Sequence, residues 1–153
     1  MERAAIPEVR KAAEDSFAAG FYCAESVVMA VAKAEGVDSG LLPRIATGFG
    51  GGMARTCGDC GALTGAVMAV GMALGRSTTT ESVEPAFAAT QRLIQEFERE
   101  FGSRDCQALL GGCDLATPEG QAMFQEQKLR RRCFRFTGGA AEIAARVIVE
   151  ARG

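Results

Sequence analysis

The sequence contains no histidine and no tryptophan, a single tyrosine and only four prolines. Without histidine there can be no Ser-His-Asp triad, no Cys-His protease pair and no histidine-ligated zinc or haem. Any chemistry falls to thiols, carboxylates, arginines or the backbone. A long apolar run is also missing. The longest, Gly61 to Gly75, is interrupted only by Thr64 and covers 15 residues, short of the roughly 20 that span a bilayer, so no membrane is expected as a partner. The start, Met1 to Pro7, has no apolar core of a secretory signal. These features predict a cytoplasmic protein, a setting in which structural disulfides are unusual. A strong charge of one sign is absent too. The net charge is -2 and is shared evenly between the two halves, which argues against a nucleic-acid partner.

Disorder is excluded by composition: 48% hydrophobic and 24% charged residues over 153 positions can bury a core. Aromatics are 7%, and no period-two alternation of β-branched residues persists, so strand signals are scarce. Helical periodicity is common instead. Ile6, Val9, Ala13 and Phe17 share a helix face, and a second helix is predicted over about 23–35, with Val27 and Val31 inward and Gly36 at its end. A short helix is predicted over 41–46. Next comes an apolar helix opened by Asp59 or Cys60 and ending near Gly75, whose Gly61, Gly65, Gly71 and Gly75 suit close helix contacts. Thr78 and Glu81 have capping-box spacing, predicting a helix with Val83, Phe87, Ile94, Phe97 and Phe101 on one stripe and Gly102 at its end. Asp105-Cys106 opens a short turn closed by Gly111-Gly112. Thr117-Pro118 predicts a helix through about Arg131, and a last helix is expected from Thr137. The expected fold class is all-α: one compact bundle of about six to eight helices over residues 1–153.

What is abundant is cysteine, at positions 23, 57, 60, 106, 113 and 133. In a reducing compartment, six cysteines point to metal binding or redox cycling, with packing as the plain alternative. Cys23, Cys60, Cys106 and Cys133 fall at or just before expected helix starts, where free N–H groups and the helix dipole stabilise a thiolate. Cys57-Gly58-Asp59-Cys60 is a CxxC, suited to a vicinal disulfide or a two-thiolate bite. It lacks both the βαβ setting of a thioredoxin motif and a second CxxC 15–20 residues on. The glycine stretch Gly48 to Gly52 fails as a dinucleotide or Walker loop; it predicts close backbone approach beside the cysteines. Arg55 and the Lys128–Arg132 run, with Arg135, could offset thiolate charge or meet an acidic partner, or be solvated surface.

Gly20-Phe21-Tyr22-Cys23-Ala24-Glu25-Ser26, Gly48-Phe49-Gly50-Gly51-Gly52-Met53 and Cys60-Gly61-Ala62-Leu63-Thr64-Gly65 together resemble the C_GCAxxG_C_C family, small bacterial and archaeal proteins described as redox-active. The segment Cys106 to Gly111 and the run from Asp114 to Gly120 are similar to its C-terminal half. The resemblance spans about residues 15 to 150. The family name spells Gly-Cys-Ala-x-x-Gly where residues 60–65 read Cys-Gly-Ala-Leu-Thr-Gly, with Ala62 and Gly65 in the same spacing. The resemblance implies Cys23, Cys60, Cys106 and Cys133 as the working residues. Cys57 joins them as the local partner of Cys60, and the role of Cys113 is open. One expectation is dithiol/disulfide electron transfer, the chemistry of a thiol-based oxidoreductase, with Cys60 as the reactive thiol and a redox protein as partner. A second is an iron–sulfur cluster held by Cys23, Cys60, Cys106 and Cys133, with Gly50, Gly51, Gly52 and Gly61 offering backbone beside it. A four-cysteine zinc site and a helical interaction module with inert thiols complete the set. The glycine-faced helices suit either a homodimer or a tight monomer.

Overall fold

Eight helices and no strand make up the chain in a computed structural model that describes every residue from Met1 to Gly153. They are α1 (Ile6–Ala18), α2 (Cys23–Ala34), α3 (Leu41–Ala46), α4 (Gly61–Leu74), α5 (Glu84–Phe101), α6 (Cys106–Leu109), α7 (Pro118–Glu126) and α8 (Arg130–Ala151). The expected all-α architecture holds, and its only β-type pairing is an isolated bridge between Asp59 and Asp105. No helix is long and apolar enough to cross a membrane.

The longest element, α8, runs through the middle and packs against α1, α2, α4 and α5. Its buried face runs from Phe136 to Ile148 and includes Gly138 and Gly139. At Gly139 a Cβ would lie 2.5 Å from Phe101 Cζ, so glycine lets α5 reach α8. Phe97, Phe101 and Phe136 then stack at centroid separations of 4.9, 5.1 and 6.5 Å. Gly65 does the same between α2 and α4, where a Cβ would stand 2.5 Å from the Ala24 carbonyl oxygen. Gly71 faces open space, so the apolar helix uses its glycines unevenly. Val27, Val31, Leu63, Val70, Leu93, Ile143 and Ile148 fill the centre and are almost wholly buried.

Three expectations needed correction. The helix expected from Thr78 begins instead at Glu84. Pro85 is the reason: inside a helix it removes a hydrogen bond and clashes with the preceding turn, whereas in the first turn it costs nothing. Thr78 and Glu81 pair side chain to side chain (3.2 Å) in the loop before it. The buried stripe is Ala89, Leu93 and Phe97, and Phe87 is 57% exposed. The helix expected to run through Arg131 ends at Glu126, and α8 begins at Arg130, with Lys128 between them at φ +53°. Thr137 is therefore interior. Its hydroxyl donates to the Cys133 carbonyl at 2.7 Å, the back-bonding open to threonine within a helix.

Candidate functional site

Cys23 is the first residue of α2. The Tyr22 amide before it donates to Glu25 Oε1 (2.9 Å), and Glu25 Oε2 accepts from the Thr47 hydroxyl (2.8 Å), so one carboxylate ties this helix start to the turn ahead of the glycine stretch. Cys60 is the N-cap of α4 and Cys106 the first residue of α6. Two backbone bonds join their segments: Cys60 N–H to Arg104 carbonyl (2.7 Å) and Cys106 N–H to Gly58 carbonyl (3.0 Å). The neighbouring aspartates have other partners. Asp59 takes Arg104 in a bidentate pair (3.3 and 3.0 Å), and Asp105 caps α6 by accepting from Ala108 N–H (2.8 Å). Cys133 lies in the first turn of α8, not ahead of it. These four cysteines all line one cavity of about 380 Å³, walled largely by apolar side chains such as Phe17, Leu110, Phe124 and Phe136.

The glycine stretch is a left-handed turn. From Gly51 to Ala54, φ lies between +54° and +69°, and Arg55 follows at +65°. Glycine adopts this region freely. Met53, Ala54 and Arg55 each pay about 1–2 kcal/mol for it. The turn is held by Gly58 N–H donating to the Gly52 carbonyl (2.9 Å) and by the Thr56 hydroxyl donating to the Met53 carbonyl (2.7 Å). What the strain secures is proximity. At Gly52 a Cβ would lie 2.5 Å from Cys106 Cβ, and at Gly61 one would lie 2.6 Å from Cys23 Sγ. The Gly51 amide favours the Cys23 thiolate, against the effect of burial. Gly50 rests on the Tyr22 ring, 2.8 Å from a would-be Cβ. The close backbone approach expected of this segment is thus what it provides.

Electrostatics run against the expectation that helix starts would hold these sulfurs as thiolates. Burial pushes the Cys23 thiol up, against the pull of the Gly51, Ala24 and Ala62 amides. Cys60 is pushed well above the ordinary range by burial and then by Cys23, opposed by the Ala62 and Leu63 amides. Cys106 is raised to about 12 by burial, with Cys23 and Asp105 adding to it. Cys133 is also raised to about 12, by burial and then by Cys23 and Cys106, with Arg130 opposing. Desolvation outweighs the dipole, so all four are neutral thiols at pH 7. No three Cys, Asp or Glu side chains gather closely enough to hold a single metal ion.

Cys57 and Cys113 do not line the cavity. The Cys57 thiol donates to Asp114 Oδ1 (3.1 Å), and the buried Cys113 thiol donates to the Gly120 carbonyl (3.0 Å). The CxxC is therefore split: Cys60 faces the cavity and Cys57, at φ +58°, faces Asp114. The sequence did not point to the wall formed by Leu115 and, from α7, Gln121, Phe124 and Gln125. An amphipathic stretch capped by Thr117 was the one available signal. Arg130 lies at the cavity edge, donating to the Phe17 carbonyl (2.7 Å) with its guanidinium 4.4 Å from the Phe17 ring centroid. Arg55 donates to the Tyr22 hydroxyl (3.3 Å).

Residues 21–147 match the family model described as "Putative redox-active protein (C_GCAxxG_C_C)". No curated protein and no solved structure matches.

Proposed function

The chain belongs to this redox-active family, and from that premise we propose that Cys23, Cys60, Cys106 and Cys133 hold an iron–sulfur cluster that exchanges single electrons. The observation that carries this reading is the convergence of four thiols, from four separate stretches of chain, on one cavity of about 380 Å³. Four thiolates suffice for a two-iron or four-iron cluster. A zinc ion draws its four sulfurs to one point, whereas a cluster spreads its four ligands over several irons. Neutral, buried thiols are poor nucleophiles for exchange with a partner's disulfide. The same burial suits a bound group whose iron charges offset the thiolates. The amides of Gly51, Ala62 and Leu63, directed at Cys23 and Cys60, would then donate to the anionic sulfurs. When bound, the cluster supplies one-electron oxidation and reduction. The chain supplies the four ligands, the amides and the apolar wall.

A second reading rests on Cys23 and Cys60, which are close enough that a Cβ on Gly61, the residue after Cys60, would stand 2.6 Å from Cys23 Sγ. Oxidation of this pair would form one S–S bond and release two electrons and two protons. Anaerobic purification separates the readings. Brown protein with iron and sulfide near stoichiometry, lost on replacing Cys60 by Ser, supports the cluster. Colourless, metal-free protein that loses two thiols on mild oxidation supports the dithiol and overturns the cluster. Zinc without colour overturns both.

A further inference from the structure

The N-terminal end of α8 carries Lys128, Arg130, Arg131, Arg132 and Arg135, and none of them takes part in any ion pair of the molecule. All five are exposed. The arrangement is unfavourable for the isolated protein in two ways. Arg131 and Arg135 are like charges four residues apart on α8, which repel along a helix. They also stand at the positive end of the helix dipole. Arg130 and Arg132 are partly steadied, by the Phe17 carbonyl and ring and by the Leu109 carbonyl (3.3 Å). Lys128, Arg131, Arg132 and Arg135 line an open cleft in which no acidic residue takes part. Phe134, 36% exposed, stands among them, and arginine beside an exposed aromatic is the composition of an interface hot spot.

This patch is next to the cavity. Arg130 and Cys133 both line the cavity wall, and Cys133 lies between Arg132 and Arg135, within one helical turn of each, about 5.4 Å of rise. We propose that the basic cleft at the start of α8 docks an acidic one-electron carrier protein, and that Cys133 is the side of the site through which the electron enters. The inference rests on the cluster reading above. In the step, the reduced carrier loses one electron and the centre gains one; no bond forms or breaks. An acidic face on the carrier supplies the missing counter-charge, in a chain whose net charge of -2 otherwise disfavours such a partner.

The test uses the intact, anaerobically prepared protein and an acidic plant-type ferredoxin as probe. Binding of oxidised ferredoxin is measured by calorimetry at low salt and at 0.5 M salt, which needs no loaded centre. Electron transfer from pre-reduced ferredoxin is followed by stopped flow. The variant is R131E/R135E, whose side chains anchor nothing else in the fold beyond one weak Arg131 contact to the Lys128 carbonyl. The control is K33E/R99E, with the same change in net charge at distant exposed sites. The expected result is binding that disappears at high salt, with a rate lowered roughly tenfold or more in R131E/R135E and little changed in K33E/R99E. Equal rates and affinities in the two variants would overturn the docking site. So would tight binding of a single-stranded oligonucleotide or inorganic phosphate in place of ferredoxin. Failure of the centre is seen separately: excess dithionite then bleaches no chromophore in any variant, while ferredoxin binding still reports on the patch.

Discussion

The two ends of α8 obey opposite rules. Beyond its middle, charge is matched: Arg10 bridges Glu14 and Glu142 (3.0 and 2.6 Å), and Arg146 reaches Glu142 and Glu96 (3.8 and 2.6 Å). Arg92 then links Glu96 to Glu150. This chain of ion pairs laces α1, α5 and α8 over a dense apolar core. At the other end, five cations have no counter-charge, the backbone is left-handed from Gly51 to Arg55, and four thiols surround an open volume. The first end satisfies its groups within the molecule, and the second leaves them for something else to satisfy. On the function proposed above, stability belongs mainly to one region and chemistry to the other.

Substitutions can break this division, beginning with the core. Phe97, fully buried against Phe101 and Phe136, is expected to cost about 3–5 kcal/mol on replacement by Ala, measured by denaturant unfolding, whether or not the cavity is loaded. Gly52→Ala acts at the other end. Its Cβ would meet Cys106 at 2.5 Å from a backbone at φ +69°, so a loss of about 2–3 kcal/mol is expected. Iron content should fall before the far-ultraviolet circular dichroism does; unchanged iron and stability would remove Gly52 from the site.

The pH dependence separates the ends again. In metal-free protein Cys106 and Cys133 have folded values of about 12, above the ordinary thiol near 9. Their contribution to stability is complete below pH 9 and is lost as pH rises toward 12, by about 1 kcal/mol per thiol for each pH unit. The double variant C106S/C133S should flatten that alkaline limb in a melting series. On the acid side the direction reverses. Burial lifts the Glu96 carboxyl, but Arg146 and Arg92 outweigh it and hold the group below its usual range. Arg152 does likewise for Glu35. Their contribution is present above about pH 4.5 and fades as pH falls below it. Arg146→Met should remove about 0.5–1 kcal/mol at pH 7 and make the acid limb shallower. The smallest effect is expected at Phe87→Ser, within about 0.5 kcal/mol, since that ring lies outside the packed face.

Much of this was legible from local chemistry. Gly36, Gly102, Asp105 and Thr117 mark helix ends because capping and glycine geometry are local properties, and the structure places ends at each. The cysteines at 23, 60 and 106 were placed at helix starts for the same reason. What could not be read depended on distant atoms. Pro85 overruled a well-spaced Thr78–Glu81 pair, and the Lys128 break reset the start of α8, so Cys133 and Thr137 were assigned to the wrong side of it. The stripe through Phe87 was misread because the burying face was chosen by α8. The thiol ionisation was misjudged because the helix dipole is visible along the chain, whereas desolvation by Phe17, Phe124 and Phe136 arises only once remote segments meet.

Measured along the chain, the four cavity cysteines stand 37, 46 and 27 residues apart. A group bonded to all four would close three consecutive loops, each worth about 3.5–4 kcal/mol of denatured-chain entropy by the loop-length relation. The site would then act as a four-way staple in the polymer sense, joining both termini of the bundle's middle to a common point. Losing the bound group would release all three loops at once, so its loss would register in the unfolding equilibrium of the whole chain and not at the site alone.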